Sequence, residues 1–404
     1  MGFTFDDSGP ADDETPGIPS PIATMERLIA ENPKNAEVIF PYIGGEEVNS
    51  SPTHAHHRYV INFGERSEEE CRRAWPELIG IVERKVRGTR GSHSTAPWWQ
   101  FERPRTDLYA AAAKCSQVLI KPQVSSTVAF ALINGPMVFS QKAIAFPLID
   151  ISLLALLQSS VHEHWTRSFT STMKDDLNYS PSDCFENFPF PAALLDSAVN
   201  DPAQAATRQS LEAIGERYHH FRAELMVANN EGLTSTYNRF HDPAETSSGL
   251  MELRNLHGEM DQAVLAAYGW SDMPTACGFG LDYLDTEDDA QLPDALQERI
   301  DSGDLFFWDA NDALDFQGQL QAYGAITGRR KLPWRYRWPD AVRDDVIARL
   351  LALNGERYAA EVAQGLHGKG GKKPAADPAA GGKRPGRPAK AANSADTGQI
   401  GLAL

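Results

Sequence analysis

Apolar positions along this chain fall first into short extended runs and later into helical stripes. The opening stretch MGFTFDDSGPADDETPGIPS is acidic and rich in Pro and Gly, and reads as a flexible lead. Ala23–Ala30 reads as a short helix. VIFPYIGG and RYVINFG, punctuated by Pro and Gly, read as extended pieces. Ser67–Lys85 has the pattern of a helix, with Ser67 as N-cap and Glu68, Glu69 and Glu70 in its first turn. Gln117–Leu148 is β-patterned: VLIKPQVS, TVAFALI, an Asn134-Gly135 turn, then MVFSQKAIAF. Asn-Gly supplies the positive φ angles that a tight hairpin needs. Ile151–Phe169 then places Leu153, Leu154, Leu157, Val161, Trp165 and Phe169 at helical spacing.

Beyond Pro191 the pattern turns helical. Ala203–Asn229, Ser248–Tyr268 and Val342–Val362 each carry an apolar face of helical period. From about Gly365 the chain becomes a Gly/Pro/Ala/Lys tract that cannot bury a core, which predicts disorder. The whole predicts an α+β protein. Its parts are a flexible lead (1–20), a mixed α/β domain with a β-rich core (21–191), a mainly helical C-terminal domain (192–364) and a disordered basic tail (365–404).

Charge changes this picture. The 404 residues carry a net charge of −17. Yet Gly80–Ser125 holds eight Lys/Arg (Arg84, Lys85, Arg87, Arg90, Arg103, Arg105, Lys114 and Lys121) against Glu83, Glu102 and Asp107. A positive island on a negative protein is the electrostatic footprint of a DNA-contacting surface. Asp282–Asp315 is the opposite, with twelve Asp/Glu against Arg299 alone, and would face away from a phosphate backbone. Four scattered Cys without C-x-x-C spacing predict neither a disulfide framework nor a zinc site and fit a reducing cytoplasm. No apolar run approaches the length of a membrane span, so no membrane partner is expected.

Catalytic patterns do not emerge. An amino-methyltransferase needs a glycine-rich turn for S-adenosylmethionine and a [DN]-P-P-[YF] tetrapeptide at the extruded base. Each Asn-Pro or Asp-Pro pair here is followed by another residue, and Cys277-Gly-Phe-Gly-Leu reads as a loop. Glu83-Arg84-Lys85 spells the E-x-K of a metal-dependent nuclease but sits at a helix end, where charges are usually solvated. His54, His56 and His57, and the pair His162 and His164, lack the further ligands that zinc demands and read as hydrogen-bonded or surface histidines. The chain is therefore expected to bind no cofactor or metal of its own and to carry no catalytic residue.

Several long strings point further: Pro19–Gly64, then WWQFERPR, IKPQVSS, VFSQKAIAF and NYSPSDCFENFPFP. Together they resemble the target-recognition domain of MmeI-like (type IIL/IIG) restriction–modification enzymes. GERYHHFRAELMVANNEGLTSTYNRFHDP, VLAAYGW and RLLALNGERYAAEV resemble the helical region that follows it in that family. The resemblance runs to about Gly368. It implies double-stranded DNA as ligand and a methyltransferase or nuclease polypeptide as partner. It also implies S-adenosylmethionine as the cofactor of that partner, which would methylate adenine at N6.

Arg103 and Arg105 are the first candidates for DNA contact, since Arg reads guanine bidentately and clamps phosphate. Lys121, Gln123, Ser125 and Ser126 lie in KPQVSS, where Gln can pair with adenine and Ser with base or phosphate. The resemblance leads one to expect Arg where Gln123 stands. Lys142 is a candidate phosphate contact, and the Asn178-Tyr179-Ser180 loop would close the domain. Trp98 and Trp99 read as packing residues rather than base stackers. KRPGRPAK resembles an AT-hook, with Arg387 reaching into a narrow minor groove, although Pro385 stands where that motif has Arg. A generic basic tail is the alternative. For the whole chain the leading reading is a DNA sequence-recognition module acting with, or split from, an adenine methyltransferase. The rivals are a freestanding DNA-binding protein and an acidic helical scaffold for protein association.

Overall fold

The computed structural model describes residues 2–91, 93–135, 137–147, 150–173, 176–195, 201–287, 290–326 and 331–366. Among them, buried side chains gather into three cores. The first belongs to β1 (Thr4–Phe5), α1 (Ile22–Glu31), β2 (Ile39–Ile43), β3 (Arg58–Ile61), α3 (Glu68–Ala74) and α4 (Pro76–Val82), while α2 (Gly45–Ser50), between β2 and β3, packs its Val48 into the second core. β3 lies between β1 and β2, antiparallel to both. Phe5, Leu28, Val38, Ile61, Phe63, Trp75 and Leu78 fill the space behind them.

Two expectations fail here. The lead is folded: Phe5 is fully buried on β1, and the Lys85 ammonium donates to the carbonyls of Asp12 and Ile18. Composition misleads because Phe5 and a distant lysine supply what the acidic stretch lacks. The helix over Ser67–Lys85 is instead two helices, broken where Pro76 forces Trp75 out of helical geometry (φ −139°, ψ 61°). Ser67 does cap the first of them, accepting from the Glu70 amide.

The second core is the largest. Its chain runs through α5 (Thr106–Ala112), β4 (Gln117–Pro122), β5 (Val124–Ser125), β6 (Ala131–Asn134), β7 (Val138–Phe139) and β8 (Ala143–Phe146). Next come α6 (Ser152–Gln158), α7 (Ser160–Phe169), β9 (Ser171–Met173), β10 (Asp176–Asn178) and α8 (Pro181–Cys184). Then follow α9 (Pro202–Asn229), α10 (Leu233–Phe240) and α11 (Ser248–Ala267). β4 is the centre of an antiparallel β6-β4-β8 sheet, with Leu119 opposite both Leu132 and Phe146. Gly135 has φ +78°, as the Asn-Gly turn requires, but no hairpin forms. The chain after it leaves β6, and β7 joins β2 in parallel, completing the first sheet.

The predicted helix over Ile151–Phe169 is split at Ser159. The freed Ser160 amide donates to the fully buried Asp261 carboxylate at 2.8 Å, and Ser159 Oγ donates to the Leu156 carbonyl. All of α6 is buried, which suits a helix covered on every side. It lies against α9 and α11, so one core is continuous across residue 191, where the sequence suggested a boundary.

A charge is sealed in this core. Arg222 of α9 is fully buried and donates to Gln158 Oε1 (3.0 Å), the Tyr237 hydroxyl (3.0 Å) and the Phe130 carbonyl (2.5 Å). Gln158 in turn accepts from the Phe130 amide and donates to the Val128 carbonyl. Fixed forked donors suit arginine to joining helices and strand in this way.

The third core belongs to β11 (Gly278–Leu281), α12 (Asp294–Asp301), β12 (Phe306–Phe307), α13 (Ala310–Ala322) and β13 (Trp334–Arg337). The sheet order is β12-β11-β13, inside the region read as mainly helical. The Cys277-Gly-Phe-Gly-Leu segment is thus a buried central strand, not a loop. A Cβ on Gly278 would sit 2.4 Å from the Phe307 carbonyl, so only glycine allows the strands to pair this closely. α14 (Asp340–Ala363) returns to pack Val346 and Leu350 on the second core.

Candidate nucleic-acid interface

α5 begins at Arg105, which caps it with a left-handed backbone (φ 54°). Tyr109 of this helix stacks on Phe139 of β7 with centroids 5.9 Å apart, and its hydroxyl accepts from the Phe139 amide. Lys142 sits in the turn after β7, where its amide donates to Ser140 Oγ. Arg103 and Arg105 at one end of α5, Lys114 beyond the other, and Lys142 across the stack are all exposed. None of their side chains makes a hydrogen bond or ion pair among the described residues. Glu102 and Asp107 lie in the same segment, so four free cations face two acids. Lys114 was not among the residues singled out from the sequence; its exposure joins it to the other three, and its place in the basic island was the available signal.

Gln123 belongs to the same neighbourhood. Its amide donates to the Lys142 carbonyl at 2.8 Å and its carbonyl accepts from the Tyr179 amide at 2.8 Å. It is partly exposed, and Val124 beside it is 44% exposed.

Other candidates must be corrected. Lys121 is fully buried, so it cannot clamp a phosphate. Its ammonium donates to the carbonyls of Pro122 (3.2 Å) and Thr127 (3.3 Å) and lies 5.3 Å from the Tyr179 ring centroid. Burial pushes its pKa down to about 7. β4 is covered on both faces from Val118 to Pro122, so Lys121 is enclosed whichever face it takes, which a lone Lys in an apolar run does not reveal. Ser125 is also buried, with its Oγ accepting from the Thr127 amide. Ser126 is partly exposed, and its carbonyl is taken by Arg335 at 3.1 Å. Arg387 lies outside the described residues. Tyr179 is buried and hydrogen-bonds His162 Nε2 at 3.0 Å, so the NYSPSDCF segment seals the core.

The basic island does not survive as one surface. Arg84 pairs with Glu14, Arg87 with Glu83, and Arg90 is held by Ser94 and the Gln100 carbonyl. Lys85 is buried. Trp98 and Trp99 pack against the first core, the Trp99 indole donating to the Arg66 carbonyl at 3.0 Å, as packing residues should. Glu83 is bound by Arg72 and Arg87 in a helical turn. Burial lowers His54 to about 4, His164 to about 4 and His162 to about 3, holding all three neutral. No group of three or more His, Cys, Asp or Glu converges as metal ligands would among the described residues.

The acidic stretch begins with a paired member. Asp282 meets Arg335 (3.3 Å), Arg167 (3.6 Å) and Arg337 (3.9 Å), joining β13 to α7. Burial opposes ionisation of Glu163, one turn from Arg167, yet Arg167 and the neighbouring histidines hold it well below the usual carboxylate range. Arg254 serves a parallel purpose, donating to the carbonyls of Phe240 and Asp242 at 2.9 Å each beyond α10.

Comparison with known proteins adds to this geometry. A search of curated proteins gives no match. Among solved structures the chain is similar to the type IIL restriction–modification enzyme MmeI, determined in complex with DNA. The identity is 19% and the TM-score 0.44, over 67% of this chain and 31% of that one. The chain thus spans about a third of the length of that enzyme. Residues 22–192, which carry the α5–β7 stack and its four exposed cations, match the model of the MmeI target recognition domain. Over residues 22–192 the chain is therefore similar to the target recognition domain of the MmeI family.

Proposed function

We propose that this chain reads duplex DNA for a type II restriction–modification system. It would act with an S-adenosylmethionine-dependent adenine-N6 methyltransferase carried by another polypeptide. The observation that carries the reading is the cluster of exposed, unpaired cations around α5, β7 and Lys142 within the matched domain. On a protein of net charge −17, a polyanion must be met by such a local patch. In this reading Gln123, whose amide is held by the Lys142 carbonyl and whose side chain is partly exposed, meets a base edge beside the phosphate contacts. The glycine pair closest to a cofactor turn is spent on the buried strand β11, which supports leaving methyl transfer to the partner. Four free cysteines fit work in a reducing cytoplasm.

The test is DNA binding by fluorescence anisotropy across a salt series. Arg105→Ala and Lys142→Ala should each weaken binding on every duplex and reduce the log–log salt slope by about one. Gln123→Ala should instead relax preference at one base pair, at roughly 1–3 kcal/mol. Absent or salt-insensitive binding would refute the reading. Affinity purification from the native source should recover a methyltransferase polypeptide. Tight DNA binding with no such partner would favour the freestanding DNA-binding protein instead.

A further inference from the structure

We propose that an open depression on the third core binds the basic stretch Lys369–Lys390 of the same chain. The depression holds about 600 Å³ between α12, β12 and α13. Leu296, Phe307 and Phe316 form its apolar floor. Trp308, Asp312 and Asp315 form its wall, and Trp308 is 63% exposed, braced edge-on by Phe306 at 5.1 Å.

The lining selects a cation with an apolar or planar body. Aromatic faces attract ammonium and guanidinium groups, and this floor already carries one. The Arg299 guanidinium lies 4.1 Å from the Phe307 centroid and 5.7 Å from that of Phe316. Its N–H groups are spent on the carbonyls of Asp304 (2.8 Å) and Phe306 (3.4 Å). Asp312 and Asp315, one turn apart on α13, make no hydrogen bond or ion pair among the described residues. Two carboxylates beside the exposed Trp308 ring therefore remain for an incoming Lys or Arg. The wider stretch 282–315, with twelve acids to one Arg, repels anions and attracts a polycation.

The chain itself holds the complementary segment. From Gly368 to Leu404 it has seven Lys/Arg against Asp377 and Asp396, starting directly after α14. A Gly-rich stretch of about 24 residues spans roughly 25–30 Å as a coil. Attachment to the same chain raises its local concentration toward the millimolar range, enough to fill a weak site. Occupancy would withhold these cations from DNA phosphates. A polyanion would then compete with Asp312 and Asp315 for one segment.

Zero-length carbodiimide cross-linking of the full chain at low salt tests this without DNA, so its outcome is independent of the recognition reading. An equal mixture of isotope-labelled and unlabelled chains separates links within a molecule from links between molecules. Peptide mass spectrometry should find the tail lysines 369, 372, 373, 383 and 390 joined to Asp312 or Asp315 in same-isotope pairs. The links should vanish near 1 M salt, where the screening length is about 3 Å. Trp308→Ala should reduce them while both carboxylates remain. Asp312→Asn with Asp315→Asn should not redirect an equal yield to other acids; circular dichroism confirms that each variant is folded. Tail links spread over exposed acids without preference, or a yield unaffected by Trp308→Ala, would overturn the proposal. Mixed-isotope links as the main product would overturn its intramolecular form.

Discussion

Lys121→Met separates a DNA-clamping lysine from a buried one. In the folded protein the ammonium is sealed beneath Tyr179 and Phe130, and burial lowers its pKa from 10.5 to about 7. A folded pKa below the unfolded value means that the unfolded chain binds the extra proton between about pH 7 and 10.5. Wild-type stability should therefore gain up to about 1.4 kcal/mol per pH unit from this group as pH rises through that window, on the order of 5 kcal/mol in all. Methionine at 121 carries no such proton, so the difference between variant and wild type should shrink or reverse in the variant's disfavour from pH 7 to 10. Against this stands the loss of two hydrogen bonds, to the carbonyls of Pro122 and Thr127, each worth about 0.5–1.5 kcal/mol and independent of pH. Urea unfolding of both proteins at half-unit steps of pH measures the difference directly. Parallel stability profiles would refute the buried-charge reasoning. So would a fall in the salt slope of DNA binding, which would show that the side chain reaches phosphate.

Arg222→Met should cost about 2–4 kcal/mol by urea unfolding, because Gln158, Tyr237 and the Phe130 carbonyl lose a shared donor inside the core. Arg222→Lys should recover little of that, since an ammonium lacks the planar fork; full recovery would sink the argument. Acid should act through His162, His164 and His241, all depressed below 6.5 by burial. Their stability contribution is complete above pH 6.5 and is lost as pH falls toward their folded values, about 3 for His162, about 4 for His164 and well below 6.5 for His241. Proton uptake by these three groups on thermal unfolding should therefore rise from about 1.5 at pH 6.5 toward three as pH falls to 4.5, and a flat melting temperature over that range would contradict it.

The helices and strands were largely legible because their apolar periods are strong. Gln117–Leu148 did form the β-rich centre, and the long helices α9, α11 and α14 fall where the spacing put them. Two kinds of feature were hidden. One is a break imposed by a distant partner: nothing near Ser159 signals that Asp261 will take the Ser160 amide. The other is the direction of a charged side chain within a strand. Lys121 and Ser125 share a motif and a parity with Gln123, yet β4 is covered on both faces and β5 pairs with β10, which buries the first two, while Gln123 lies between the strands and stays partly exposed. Arg103, Arg105 and Lys142 are exposed, as the reading of them requires, because exposed turns leave long cations in water. The acidic lead was misjudged for the converse reason, since its order depends on Lys85, which lies far along the chain.

The segment from Pro122 to Phe130 shows how the parts combine. It has almost no ladder of its own, since β5 pairs at only Val124 and Ser125. Its carbonyls are instead taken by cations from three parts of the chain. Lys121 holds Pro122 and Thr127 from the strand beneath, Arg335 holds Ser126 from the third core, and Arg222 holds Phe130 from α9. Gln158 fixes what remains, bonding the Phe130 amide and the Val128 carbonyl. Such capture sets backbone position without using the outward side chains, so Gln123 and Val124 are presented from a turn that is already ordered. A contact surface ordered before binding spends less free energy on immobilising itself. The third core is therefore physically connected to the turn that carries Gln123, although its own surface is acidic. Through Asp282 it positions Arg335, and through Arg335 it steadies the turn beside Gln123.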